Sequence, residues 1–428
     1  MKLLIKNGTL INPHGEKNGA YDVLIEGGRV TKIEKGIEIN GAEIIEAAGK
    51  HVLPGFFDMH CHLREPGYEY QETIRTGAMA AARGGYAAIA CMANTNPPAD
   101  CAAVIGYIKS RAAEAGYAKV YPVGAVTAGL RGEALAEMGE LKEAGAVAVS
   151  DDGRPMMDAN LMKNVLVYAK NFDMLVISHC EDILLANEGH MNEGVVSTEL
   201  GLKGISRAAE EVMVARDAIL AGTYDARVHI AHVSTAGSVE IIRQAKKAGV
   251  KVSCETAPHY FSATDEAVRG FNTNAKVNPP LRTKEDAAAI IAGLCDGTID
   301  CIATDHAPHH EDDKNVEFAY AASGISGLET AFSLSYMNLV KAGKMGLERM
   351  VSLLSYNPCK ILGIKGGAIT QGGEADITIV DLDAEYVLKK EDMVSLGKNT
   401  PFLGQKLAGK VIHTVIGGKW AVRDGKVI

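Results

Sequence analysis

The chain has 428 residues, 47% hydrophobic and 23% charged, with a formal net charge of −9. No basic run or basic face stands out, which argues against a nucleic-acid partner. No uninterrupted apolar stretch approaches the roughly 18 residues of a membrane span, and the N-terminal MKLLIKNGTL breaks at Lys6, too soon for the core of an export signal.

The length exceeds the ~250–300 residues at which one core usually stops growing, so one large domain and a smaller one are expected. Residues 1–52 read as short strands at 2–7, 20–26, 29–34 and 43–47, separated by Asn7-Gly8, Pro13-His14-Gly15 and Gly27-Gly28. From Pro54 short apolar runs alternate with Ala-rich helical stretches. The runs are 56–60, 86–92, 119–123, 146–150, 174–179, 227–232, 251–255 and 299–305; the helical stretches include 70–83, 102–115, 159–171, 208–221, 238–248 and 284–295. Eight strand–helix repeats predict a parallel α/β sheet closed into a (β/α)8 TIM-type barrel. The third step, through the Gly-rich 124–132, is the least regular. After Asn357-Pro358 strands return at 375–381, 384–388 and 409–423. The expected organisation is therefore a barrel over 54–364 and a small β-sandwich built from both termini, 1–53 and 365–428.

Eight cysteines, at 61, 91, 101, 180, 254, 295, 301 and 359, show no CxxC spacing. They read as buried free thiols in a reducing compartment, and a cytoplasmic location is expected.

In such a barrel the C-terminal strand ends carry the chemistry. The first strand ends in His60-Cys61-His62. Side chains alternate along a strand, so both imidazoles face one way, about 6.5–7 Å apart, close enough to share a metal, while Cys61 turns away. Strand four ends in Ser150-Asp151-Asp152, five in His179-Cys180-Glu181, six in His232, seven near Glu255 and eight in Asp305-His306. Four histidines and two aspartates meeting at one mouth suit Zn²⁺ or a related divalent ion. They are too many for one tetrahedral ion with an open position, whereas two ions sharing a carboxylate would use them all. Residue type alone does not decide between Asp151 and Asp152, since one must face outward. Glu255 and His259 are candidates to support the ligands from behind. Cys180 and Cys254 read as packing groups, Met156-Met157 as loop packing, and His306 and His310 as solvent-exposed.

The motifs resemble the metal-dependent amidohydrolases and, in detail, the bacterial type I dihydroorotases. They are DMHCHLREPG (58–67), ARGGYAAIACMANTNPP (82–98), SDDGRPM (150–156), ISHCED (177–182), IAHVSTAGS (230–238), ETAPHY (255–260), KVNPPLR (276–282) and ATDHAPH (303–309), in order along essentially the whole chain. The resemblance implies reversible zinc-dependent hydrolysis of dihydroorotate to N-carbamoyl-L-aspartate, in pyrimidine biosynthesis. It implies two zinc ions, one held by His60 and His62 and the other by His179 and His232, with Asp152 between them. Asp305 would carry the proton and touch the first metal. Arg64, Asn94 and His309 would grip the substrate carboxylate, and Asn278 would contact the ring. Ser323 and Gly324 would line the substrate loop, although Ala322 stands where the family often has Phe. A homodimer and an association with aspartate transcarbamoylase are the protein partners it implies. Strand four, AGAVAVSDDG, lacks the lysine that many relatives carboxylate, which favours this group over the alternatives, an allantoinase or hydantoinase. A non-catalytic scaffold for aspartate transcarbamoylase is the further alternative, and the complete ligand set speaks against it.

Overall fold

The structure, a computed structural model, describes residues 2–428. Its centre is a ring of eight parallel strands in sequence order: β1 (Phe56–Cys61), β2 (Tyr86–Cys91), β3 (Lys119–Gly124), β4 (Ala148–Ser150), β5 (Leu175–Ser178), β6 (Val228–Ile230), β7 (Val252–Thr256) and β8 (Cys301–Ile302). Beyond β8 the ring closes through a parallel bridge between Cys61 and His306, with His62 N–H donating to His306 O at 2.8 Å. All eight expected strands are present. The eighth, expected over 299–305, shortens to two residues because the chain turns at Thr304, whose N–H and hydroxyl bind the buried Asp58 carboxylate at 2.9 and 2.5 Å.

Strands buried on both faces need apolar side chains on both. Ala88, Ala90, Ala148, Leu175 and Ile177 pack in one cluster, whereas Ile89, Val149 and Val176, which alternate with them, pack in a second one with the surrounding helices. Helices follow at Ile74–Arg83, Ala102–Ala115, Ala159–Lys170, Ala208–Thr223, Ala236–Lys247 and Lys284–Asp296, close to expectation. The irregular third step contains a short 3₁₀ turn, Ala128–Leu130, before the helix Met138–Ala144.

Two sheets flank the barrel. Four strands, Lys2–Lys6, Asp22–Glu26, Arg29–Glu34 and Glu43–Glu46, form one; His51–Pro54 pairs with Ile377–Val387 in the other, so both ends of the chain share a sheet. Leu3, Ile5, Val23, Ile25, Val52, Ile377, Ile379 and Val415 fill the space between them. Between the strands Ile377–Val387 and Lys406–Ile416 the chain returns to the barrel mouth, where Ser395, Asn399 and Thr400 are buried. Among the described residues no helix is long and apolar enough to cross a membrane.

Phe56 anchors the start of β1. It is fully buried, edge-on to Tyr86 and stacked on Phe332, each at a centroid distance of 5.6 Å. Phe56→Ala is expected to lower unfolding stability by about 3–5 kcal/mol, read as a shifted denaturant midpoint.

Candidate metal centre and active site

The strand ends bring the six residues together. His60 and His62 close β1 and straddle Cys61, whose thiol turns outward to Ala90 O at 3.3 Å. Asp152, His179, His232 and Asp305 follow β4, β5, β6 and β8 within three residues. Arg64, His232 and Asp305 have left-handed backbones, with φ of 61°, 35° and 45°. Such conformations cost of order 1–3 kcal/mol each and persist only where the surroundings impose them. At His232 the flanking N–H groups are fixed, Ala231 to Ser178 O at 3.0 Å and Val233 to Glu255 O at 2.8 Å.

Asp152 lies at the centre. Its oxygens are 3.3 Å from His60 Nε2, 3.4 Å from His62 Nε2, 3.5 Å from His179 Nδ1 and 3.3 Å from His232 Nε2. Asp305 Oδ1 is 3.2 Å from His62 Nε2 and 3.6 Å from His60 Nε2. His179 Nδ1 and His232 Nε2 are 2.8 Å apart. The choice between the paired aspartates is visible in the geometry: Asp151 points away from the cluster and accepts from Val126 N–H, Thr127 N–H and the Thr127 hydroxyl at 2.7, 3.0 and 2.5 Å.

The far nitrogens explain how the rings are aimed. His60 Nδ1 faces Glu255 Oε1 at 2.6 Å, His62 Nδ1 faces Asn94 Oδ1 at 2.9 Å, and His179 Nε2 lies 3.6 Å from Glu181 Oε2. The far nitrogens of His60 and His62 each meet an oxygen within hydrogen-bond distance, so they are the donors and the near nitrogens keep their lone pairs for the cluster, whereas His179 Nε2 is buried without a hydrogen-bond partner. His60 Nε2 is buried without a hydrogen-bond partner. Lone pairs from His60, His62 and His232 converge with the Asp152 and Asp305 carboxylates in two overlapping groups of three, each with its ligand atoms within 4.8 Å. Imidazole nitrogens and carboxylate oxygens so arranged fit a divalent cation.

The carboxylates of the cluster act on the imidazoles as charges do. Burial alone would keep His60 neutral, but the Asp152 and Glu255 carboxylates hold its pKa well above the usual range. Burial likewise opposes charge on His179, and Asp152 and Glu181 overcome it, pushing the pKa up to about 10. Burial would raise Asp305, yet the His62 hydrogen bond and the nearby His60 and His232 bring it down to about 2.

A cavity of about 480 Å³ opens above the cluster, lined by Arg64, Asn94, Asn278, Ser323 and Gly324 together with His62, Asp152, His179, His232 and Asp305. Arg64 donates to Pro308 O at 3.1 Å and approaches His309 Nε2 at 3.1 Å; among the described residues no carboxylate is within ion-pair reach of it. Its neighbour Glu65 turns away to Arg111, Tyr107 and the Ile74 N–H, each at 2.8 Å. His309 Nε2 also stands 2.9 Å from Ser323 O, between two residues that line this cavity, and its ring borders an adjacent one. Asn278 donates to Glu181 Oε2 at 3.2 Å, and its buried oxygen has no partner.

Some expectations need correction or completion. His306 is buried, not exposed: its backbone closes the barrel and its Nδ1 accepts from Gly327 N–H at 3.1 Å. His310 is exposed and caps the turn Glu311–Lys314. Glu255 backs His60, whereas His259, also buried, packs on Tyr260 at 4.2 Å and bonds to none of the six. Cys180 and Cys254 are buried. Glu181 and His190 line the cavity without having been singled out; for Glu181 the signal was its place two residues past His179, on the same face of an extended segment.

Metal uptake must displace the protons on His60 and His179. Because both pKa values are raised, affinity is expected to fall as pH falls and to rise with pH towards about 10. Calorimetry of zinc binding to chelator-stripped protein, in buffers of different ionisation enthalpy, should register proton release near neutral pH. Affinity flat from about pH 6 to about pH 9 would contradict this.

A family model described as "Dihydro-orotase-like" matches residues 49–238. A dihydroorotase from Acetivibrio thermocellus is 56% identical over 422 residues, covering 99% of this chain and 99% of its own. One from Thermoanaerobacter sp. is 55% identical over 419 residues, covering 98% and 97%. Among solved structures, an L-hydantoinase (dihydropyrimidinase) from Arthrobacter aurescens superposes with a TM-score of 0.89 at 24% identity, covering 100% of this chain and 97% of its own. That likeness is one of fold. With more than half of its residues shared along nearly its whole length, the chain belongs to the dihydroorotase family.

Proposed function

We propose that this chain is a dihydroorotase, opening the cyclic ureide of (S)-dihydroorotate with water to N-carbamoyl-L-aspartate and closing it in reverse. The observation that carries the reading is Arg64, a guanidinium with no acid partner at the rim of a cavity floored by the imidazole–carboxylate cluster. A planar guanidinium pairs with a carboxylate through two hydrogen bonds, and dihydroorotate carries that carboxylate whereas hydantoin does not. Asp152, rather than a strand-four lysine, stands among the imidazoles.

In this reading His60 and His62 would hold one zinc ion and His179 and His232 a second, with the Asp152 carboxylate within reach of all four rings. Bound there, zinc would acidify water and polarise a carbonyl oxygen. The chain's residues do the rest. Arg64 fixes the substrate carboxylate. Asn278 offers its unpartnered oxygen to a ring N–H, and Ser323-Gly324 line the same cavity. Asp305, ionised at neutral pH, accepts the proton of the attacking water on its carboxylate and returns it to the ring nitrogen as the C–N bond breaks. Asn94 and His309 grip the substrate carboxylate beside Arg64; Asn94 also aims the His62 ring, and His309 rests on Arg64. The division of the chain into a barrel over 54–364 and a sandwich from 1–53 and 365–428, the cytoplasmic location, a homodimer and an association with aspartate transcarbamoylase belong to the same proposal.

Assays of dihydroorotate, hydantoin and allantoin side by side test it. Dihydroorotate should be strongly preferred; turnover of hydantoin alone would refute the reading. Asp305→Ala should keep its metal and lose turnover by about 10²-fold or more. Arg64→Met should lower kcat/KM for dihydroorotate by about 10- to 100-fold while changing metal content little.

A further inference from the structure

The part of the cavity lined by Ser323-Gly324 is held from outside by two side chains that the proposed chemistry does not use. Ala322 N–H is committed to Asp313 O at 3.0 Å and Gly324 N–H to Lys276 O at 2.9 Å, while Ser323 between them is exposed to the cavity. Lys314 is buried, and among the described residues no carboxylate is within ion-pair reach of its ammonium. Its Nζ lies against three carbonyls instead: Ala322 O at 2.6 Å, Gly324 O at 3.2 Å and Lys276 O at 3.3 Å. Two of the three belong to the residues on either side of Ser323.

Asn399 grips the same peptide from the other side. It comes from the stretch between the terminal strands Ile377–Val387 and Lys406–Ile416, outside the barrel sequence. Its amide nitrogen donates to Gly324 O at 2.8 Å and Ala307 O at 3.1 Å; its oxygen accepts from His309 N–H at 2.8 Å and the Ser326 hydroxyl at 3.0 Å. All four hydrogen-bonding places of a buried amide are filled. The approach is tight. A Cβ on Gly397 would stand 2.5 Å from His309 N, and one on Gly324, at φ +155°, would stand 2.5 Å from Ala307 O. Since Arg64 rests on Pro308 O and His309, and His309 Nε2 also lies 2.9 Å from Ser323 O, Asn399 ties the support of the carboxylate grip to the Ser323-Gly324 segment beside it.

We propose that Lys314 and Asn399 are positioning residues for substrate, fixing the separation between Arg64 and the Ser323-Gly324 peptide. The inference rests on the reading of that peptide as the substrate wall. Neither side chain touches the imidazole–carboxylate cluster, so the clamp acts on binding rather than on the metal or the proton transfer.

The test uses the metal-loaded, full-length enzyme with Lys314→Met and Asn399→Ala. Each should raise KM for dihydroorotate by about tenfold, leave kcat within about threefold and leave metal content unchanged. If Asn399→Ala does not fold, Asn399→Asp, which keeps the acceptor for His309 and Ser326 but removes the donors to Gly324 and Ala307, should show the same split. Unchanged KM in the folded variants, or kcat falling in step with metal content, would overturn the clamp. A wild type unable to turn over dihydroorotate would instead overturn the functional reading on which it rests.

Discussion

The contact between His60 and Glu255, 2.6 Å long and wholly buried, is the constraint on which the site depends. An imidazole can present only one lone pair, and the group behind the ring decides which nitrogen presents it. Glu255 takes the N–H of His60 and Asn94 that of His62, while Glu181 lies 3.6 Å from His179 Nε2. The near nitrogens are thereby turned onto Asp152 and Asp305. Without such backing, rotation or the wrong tautomer would leave a set of buried polar groups with no common target, which is costly in a low-dielectric interior. The barrel makes the arrangement affordable, because strands pinned on both sides deliver each ring from a fixed position.

The same fixity extends to the backbone. Arg64, His232 and Asp305 hold left-handed conformations next to the chemistry, and the peptides beside His232 and Asp305 are tied into the ring or its closure. Asp58 contributes without reaching the cavity: its carboxylate, raised by burial to about 7 despite its hydrogen bonds, holds the turn at Thr304 just before Asp305. The polar groups under the mouth thus set directions for those above it.

Much of this was legible in the sequence, and the rest was hidden for physical reasons. Short apolar runs spaced by helical stretches gave away the eight strands, and polar residues at their ends gave away the cluster, because a closed barrel leaves strand ends nowhere else to meet. Asp151 and Asp152 could not be separated by residue type; the binding of Asp151 to Val126 and Thr127 decides it, and that contact crosses 24 residues or more. His306 looked exposed because it lies in a histidine-rich polar stretch, yet its backbone is the bridge that closes the ring. Asn399 lies more than 70 residues from Gly324 and Ala307 in the chain, and no local pattern announces that a stretch between two terminal strands returns to the barrel mouth.

The most direct test of the convergent cluster is anomalous diffraction at the zinc edge from crystals of the zinc-loaded protein. The expected result is two peaks at the barrel mouth, one beside His60 and His62, the other beside His179 and His232, with Asp152 reaching both. Peaks remote from these side chains, or none in protein that turns over dihydroorotate, would contradict it.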